Sequence, residues 1–146
     1  MITISVVIPS YNSAQTIGEA IASVRAQTRT PLEILVIDDG SGDCIAEVAE
    51  AAGAQVIRLS NNCGNPTARN VGIQAARGDV IAWLDADDFW EPEHLATVAG
   101  LLDAYPDAAV ASAAVRFVGG RSGIWYGAVP QGTPTNVLRE AFYSTP

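Results

Sequence analysis

Three features of the chain predict an α/β fold, a mainly parallel sheet with helices on both faces. Its strand-like runs are apolar at nearly every position instead of alternating, the pattern of strands covered from both sides. Helical patterns of about 10–14 residues separate those runs, as parallel crossovers require. The 146 residues are 49% apolar, which fits one domain with a sizeable core and excludes disorder.

The elements follow in order. Thr3 to Ile8 (TISVVI) reads as the first buried strand, and Ala14 to Gln27 as a helix with Ile17, Ala20, Ile21 and Val24 on one face. Leu32 to Ile37 is the second strand. A helix from about Asp43 to Ala52 ends at Gly53, a helix-terminating glycine. Gln55 to Leu59 is the third strand, Pro66 to Arg77 a helix closed by Gly78, and Val80 to Leu84 (VIAWL) the fourth strand. Pro92 to Ala104 is a helix with proline in its first turn and Pro106 just past its end. Ala108 to Val118 is strand-like and rich in small residues. From Gly119 the composition shifts to Gly, Pro and aromatics, with a short helical pattern near Asn136 to Phe142.

Charge narrows the function. Sixteen acidic against eight basic side chains give a net charge of −8, which counts against nucleic-acid binding and against docking on an anionic bilayer. All eight basic residues are Arg. Without Lys there is no P-loop lysine, no Schiff base and no Lys-dependent phosphoryl transfer. The start, MITISVVIP, lacks a basic region before its apolar run, so neither a signal peptide nor a membrane span is expected there. No later stretch approaches the roughly 18 apolar residues a span needs. Cys44 and Cys63 read as free thiols of a cytoplasmic protein. Peripheral membrane attachment is left to segments outside this chain.

The carboxylates carry the chemistry. Ligands of parallel α/β sheets bind outside the carboxyl ends of the strands, where the strand order reverses. Pro9-Ser10-Tyr11-Asn12 follows the first strand, Asp38-Asp39-Gly40-Ser41 the second and Asp85-Ala86-Asp87-Asp88 the fourth. Five Asp side chains therefore gather on one rim, where they repel one another unless a cation intervenes. Hard oxygen ligands suit Mg²⁺ or Mn²⁺. The bland alternative, that Asp residues here are helix caps and turn formers, weighs most for Asp43 and Asp88 and least for Asp39 and Asp87. The first turn, PSYNSAQ, contains no glycine and so argues against a dinucleotide site. Phosphates would be neutralised by metal and by Arg69, the one Arg in the Gly64–Gly72 turn, and Tyr11 offers an aromatic face.

On these residues the chain resembles nucleotide-sugar glycosyltransferases of family 2, with the GT-A fold. The matching stretches are VVIPSYN (6–12), EILVIDDGSGD (33–43), GNPTARNVGIQAARGD (64–79) and IAWLDADD (81–88), in the family's order and spacing. The likeness runs from residue 3 to about 118. It implies a Rossmann-like nucleotide-binding half of a GT-A fold over residues 1–118, with residues 119–146 as the start of an acceptor-side region that looks cut short. It further implies that Pro9 and Tyr11 shape a pocket for the base. Asp39 would accept a hydrogen bond from uracil N3–H, and Asp38 would support that loop. Arg69 would lie near the nucleotide. Asp85 and Asp87 would form a DxD motif and the metal site, with Asp87 the direct ligand of an ion bridging the two phosphates, Asp85 beside it facing ribose and sugar, and Asp88 behind them.

The expected reaction is transfer of a sugar from a nucleotide-diphosphate donor, a UDP-sugar first, to an acceptor hydroxyl, by the inverting route and with Mn²⁺ or Mg²⁺. The acceptor, a saccharide, a lipid carrier or a protein, is not specified; cell-envelope polysaccharide synthesis is the expected setting. Displacement needs a stabilised leaving group and a base. In inverting members the base is an Asp well downstream of the DxD, and here it is expected beyond Pro146, with Glu140 the only late carboxylate. Two alternatives stand beside this reading. One is a donor-binding module without transfer; the other is an Asp-based phosphotransferase, disfavoured by the missing Lys. Elsewhere, His94 is expected to be exposed in the first turn of its helix. Trp83 is expected in the core and Trp90 at the sugar site, while Trp125 and Tyr126 are weak candidates for donor or acceptor contact.

Overall fold

The computed structural model describes residues 2–113 and the backbone of two short strands at 115–117 and 123–125. Strands and helices alternate as β1 (Ile4–Ser10), α1 (Ile17–Arg25), β2 (Glu33–Asp38), α2 (Ile45–Ala51), β3 (Gln55–Arg58), α3 (Asn65–Ala75), β4 (Val80–Trp83) and α4 (His94–Ala104). The strands β5 (Val115–Phe117) and β6 (Gly123–Trp125) follow. Two compact units result, residues 1–96 and 97–146, and α4 crosses the division. The second unit contains the antiparallel pair β5–β6, with Arg116 opposite Ile124. No helix among the described residues is long and apolar enough to cross a membrane.

In the first unit the sheet order is β3-β2-β1-β4, with every pairing parallel. The two central strands are buried along their whole length, which is why their sequences show no alternation. From β1 to β2 to β3 the chain steps one way across the sheet. It then returns past both to place β4 beside β1. Right-handed crossovers put α1 and α2 on one face and α3 on the other. Gly18 of α1 accordingly meets Val48 of α2. On the opposite face Ala68 of α3 joins Val7, Leu35 and Ile37 in a buried cluster flanked by Val71, Ile81 and Trp83. Helix α3 comes close because Gly72 faces β1: a Cβ there would lie 2.4 Å from Val7 Cγ1.

The amino end of the sheet is tied by polar groups. Ser5 donates to the buried carboxylate of Glu33 and accepts the Gly78 N–H. Glu33 also receives the Arg77 backbone N–H at 2.8 Å and its guanidinium at 2.7 Å. Burial opposes ionisation of Glu33, but the Ser5 and Arg77 hydrogen bonds and the Arg77 charge outweigh it and hold the carboxyl below its ordinary range.

Several boundaries differ from those expected. Helix α1 starts at Ile17, three residues late, because Ser13 to Thr16 form a turn closed by Ser13 C=O. Helix α3 ends at Ala75, so Gly78 follows it in a bend, whereas Gly53, at φ +89°, ends α2 as the sequence indicates. Helix α4 begins at His94, after a turn in which Glu91 C=O accepts the His94 N–H. Among the described residues of the stretch expected as strand over 108–118, 115–117 are strand and 108–113 are not. The helical pattern near 136–142, Tyr126 and Glu140 lie outside the described residues.

Candidate functional site

The strand order reverses between β1 and β4, and there the rim opens. Alternate residues of a parallel strand bond to opposite neighbours. Val7 C=O accepts from Leu84, and Ser10 C=O accepts from Asp39. Pro9 therefore faces the β4 side, past the last paired residues Val7 and Trp83. Its missing N–H leaves no donor stranded where the ladder has ended. Two clefts that share Pro9 and Asn65 adjoin this point. The smaller, about 210 Å³, is lined by Tyr11, Asp39, Asn62 and Gly64 among others. The larger, about 850 Å³, is lined by Asn12, Asp43, Cys44, Asp85 and Asp87 among others.

Asp39 is almost wholly buried. Its two carboxylate oxygens accept the N–H groups of Cys63 and Gly64, each at 2.8 Å. This ties the end of β2 to the loop that opens α3. Each oxygen keeps a lone pair free for a further donor. The chain can pass so close only because of Gly40: its φ is +72°, and a Cβ would lie 2.5 Å from the Asn61 carbonyl carbon. Tyr11 is half-exposed over the same cleft, the position expected of an aromatic platform.

Asp38 lies away from both clefts. Its side chain is fully buried; Oδ1 accepts the Ser41 N–H at 2.8 Å and Oδ2 lies 3.3 Å from Arg58 Nε. Of the five clustered Asp residues, this one supports the loop and does not face the rim.

Arg69 is held from three sides. Its NH2 group is 3.0 Å from Asp85 Oδ1, its Nε donates to Asn65 Oδ1 at 2.9 Å, and the guanidinium sits 5.1 Å from the centre of the Trp83 ring. Trp83 thus packs against the core and also offers its ring to Arg69. Asp85 is partly neutralised by this pairing. Asp87 has no ion-pair or hydrogen-bond partner among the described residues and is exposed on the larger cleft. Asp88, expected as a possible cap, lies in a turn in which its N–H is donated to Asp85 C=O. Desolvation and then the charges of Asp87 and Asp85 push its carboxyl above the ordinary range.

That repulsion is the condition a divalent cation relieves. No group of three or more ligating side chains converges among the described residues. A hard cation of the Mg²⁺ kind, however, commonly takes one or two carboxylates and completes its shell with phosphate oxygens and water. Asp87, unpartnered, and the outer oxygen of Asp85 fit that role.

His94 differs from expectation. Its ring stacks on that of Trp90 at 4.5 Å and 19°, and the Trp90 backbone N–H donates to Ser23 Oγ. His94 is therefore half-buried, and desolvation lowers its pKa. Gln27 fixes the same corner: it donates to Glu91 C=O and accepts the Leu95 N–H. Sequence reasoning passed over Asn12, Ser41, Asn65 and Arg58. Asn12 and Ser41 carried a signal in their places after the first two strands, and Asn65 in its motif; Arg58 carried none.

A family model described as glycosyl transferase family 2 matches residues 5–142. The succinoglycan biosynthesis protein ExoO of Rhizobium meliloti is 42% identical over 95 residues, covering 63% of this chain and 27% of ExoO. The S. aureus protein TarS, residues 1–349, solved with UDP-GlcNAc, is similar over 71% of this chain and 32% of its own. The TM-score is 0.67 at 31% identity. Glucosyl-3-phosphoglycerate synthase from Mycobacterium tuberculosis, solved with Mn²⁺, UDP and glucosyl-3-phosphoglycerate, is similar over 69% of this chain and 39% of its own. Here the TM-score is 0.59 at 28% identity. The chain spans under a third of the length of the first curated relatives it matches. The neighbouring structures have the GT-A fold, as the sequence implied.

Proposed function

Because the chain belongs to glycosyl transferase family 2, we propose that it holds the sugar-nucleotide donor, a UDP-sugar, for transfer to an acceptor hydroxyl. The observation that carries this is the pair of clefts meeting at Pro9 and Asn65. One has the dimensions and lining for a base, and the other opens onto the free carboxylate of Asp87. Relatives solved with UDP-GlcNAc and with UDP and Mn²⁺ support the reading.

In this arrangement the uracil lies against Tyr11, and its N3–H is donated to Asp39, whose position the Cys63 and Gly64 N–H groups fix. Asp85, oriented by Arg69, faces ribose and sugar. Asp87, with the outer oxygen of Asp85, would hold a Mn²⁺ or Mg²⁺ ion, which as a Lewis acid stabilises the departing diphosphate. Arg69 adds positive charge near the same phosphates. Displacement proceeds with inversion, and the carboxylate that deprotonates the acceptor lies outside the described residues. ExoO, by its name a succinoglycan biosynthesis protein, supports a cell-envelope polysaccharide as the product class.

Calorimetry with Mn²⁺ tests the assignment. UDP is expected to bind more tightly than GDP or ADP. Asp87→Asn is expected to weaken UDP binding by about tenfold or more and to remove its dependence on Mn²⁺. Equal affinity for the three nucleotides overturns the base assignment, and unchanged affinity in the variant removes Asp87 from the metal.

A further inference from the structure

We propose that Arg58, at the end of β3, is a positioning residue for donor binding that acts through the buried carboxylate of Asp38. The inference rests on the donor-binding reading above and adds a residue that lines neither cleft.

Arg58 and Asp38 are register partners at the ends of β3 and β2. The Asp38 side chain is 0% exposed, while that of Arg58 is 52% exposed. Asp38 Oδ1 accepts the Ser41 N–H at 2.8 Å. Its Oδ2 has no hydrogen-bond partner and lies 3.3 Å from Arg58 Nε. A carboxylate removed from water with one oxygen unmatched is costly to keep ionised, and the guanidinium is the charge that offsets the cost.

The same guanidinium has a second task. Its NH2 group donates to the Ser41 carbonyl at 2.7 Å. Arg58 therefore holds residue 41 directly at its C=O and, through Asp38, at its N–H. From Ser41 the constraint passes into the larger cleft. Ser41 Oγ accepts the Asn12 N–H at 2.9 Å, and Asn12 Oδ1 accepts the Gly42 N–H at 2.9 Å. Asn12 sits at φ +50°, a left-handed conformation that asparagine adopts more readily than most side chains. It lines the cleft that also contains Asp85 and Asp87. The loops after β1 and β2 are thus one hydrogen-bonded unit, with Arg58 at its outer end. A lysine offers one compact charge and no planar fork, so it is expected to serve Asp38 and the Ser41 carbonyl together less well.

The test is a UDP titration with Mn²⁺ on wild type, Arg58→Leu, Asp38→Asn and the double variant, each first shown folded by circular dichroism and melted in parallel. Arg58→Leu is expected to lower UDP affinity roughly tenfold or more, because it strands the buried charge. In the double variant the amide oxygen still accepts the Ser41 N–H and no charge is stranded. Its affinity is expected to recover part of the loss, the Ser41 carbonyl still lacking the Arg58 donor, a non-additive result. If Arg58→Leu does not fold, Arg58→Lys provides the measurement, with intermediate affinity expected. Lower melting temperatures with unchanged affinity overturn the proposal, as does a double variant as weak as the two single losses combined. A wild type that binds no UDP overturns the donor-binding reading itself. Variants that all bind as well as wild type overturn only the role of Arg58.

Discussion

At the scale of single residues, the site is built from groups whose partners lie far away in sequence. Asp39 is the clearest case: two backbone N–H groups from the loop before α3 fix its carboxylate, and Gly40 lets that loop approach. Gly40→Ala forces a left-handed φ on alanine and a Cβ into the Asn61 backbone. It is expected to cost about 1–3 kcal/mol of stability in urea denaturation and to weaken UDP binding. A variant as stable as wild type contradicts the close approach. The acidic strand-end residues and Tyr11 stand out in the sequence because strand-end position and residue type together single them out. Arg58 does not, since what it does depends on which loop it bonds to. His94 was misjudged for a related reason: its burial comes from stacking on Trp90 outside the helix, which no helical periodicity reports.

At the scale of elements, every strand and helix through β4 was legible in order, because fully apolar β-branched runs and amphipathic helices have distinct periods. Their ends were less so. The Ser13–Thr16 turn reads like the first turn of α1, and its separation depends on Asp43 accepting the Ala14 N–H across the loop. Residues 108–113 of the strand expected over 108–118 are not strand, since alanine-rich sequence has little strand preference of its own. The junction between β2 and the segment after α3 depends on Glu33. Its folded pKa lies below the ordinary value of 4.5. The stabilisation from its ionised form is therefore fully present above that value and fades as pH falls through the lower, folded one. Glu33→Gln is expected to cost about 1–3 kcal/mol at neutral pH. Its urea midpoint should also fall less steeply than that of wild type as the pH drops below about 4.5. Parallel curves for the two proteins would show that Glu33 does not carry this acid sensitivity.

At the scale of the whole molecule, topology makes the site. The sheet order places β4 beside β1, so that the loops after β1, β2 and β4 meet at one edge. The unit boundary falls inside α4, between residues 96 and 97, whereas the division expected from sequence lies near residue 118. The parallel α/β class was legible from apolar runs and helical spacing and the family from four linked motifs; the antiparallel β5–β6 pair was not. A crystal of the protein grown with UDP and Mn²⁺ tests the account most directly, through the anomalous signal of manganese. The expected map has one anomalous peak in coordination contact with Asp87 and the diphosphate, with uracil between Tyr11 and Asp39. A nucleotide bound elsewhere, or a manganese peak remote from Asp87, contradicts it.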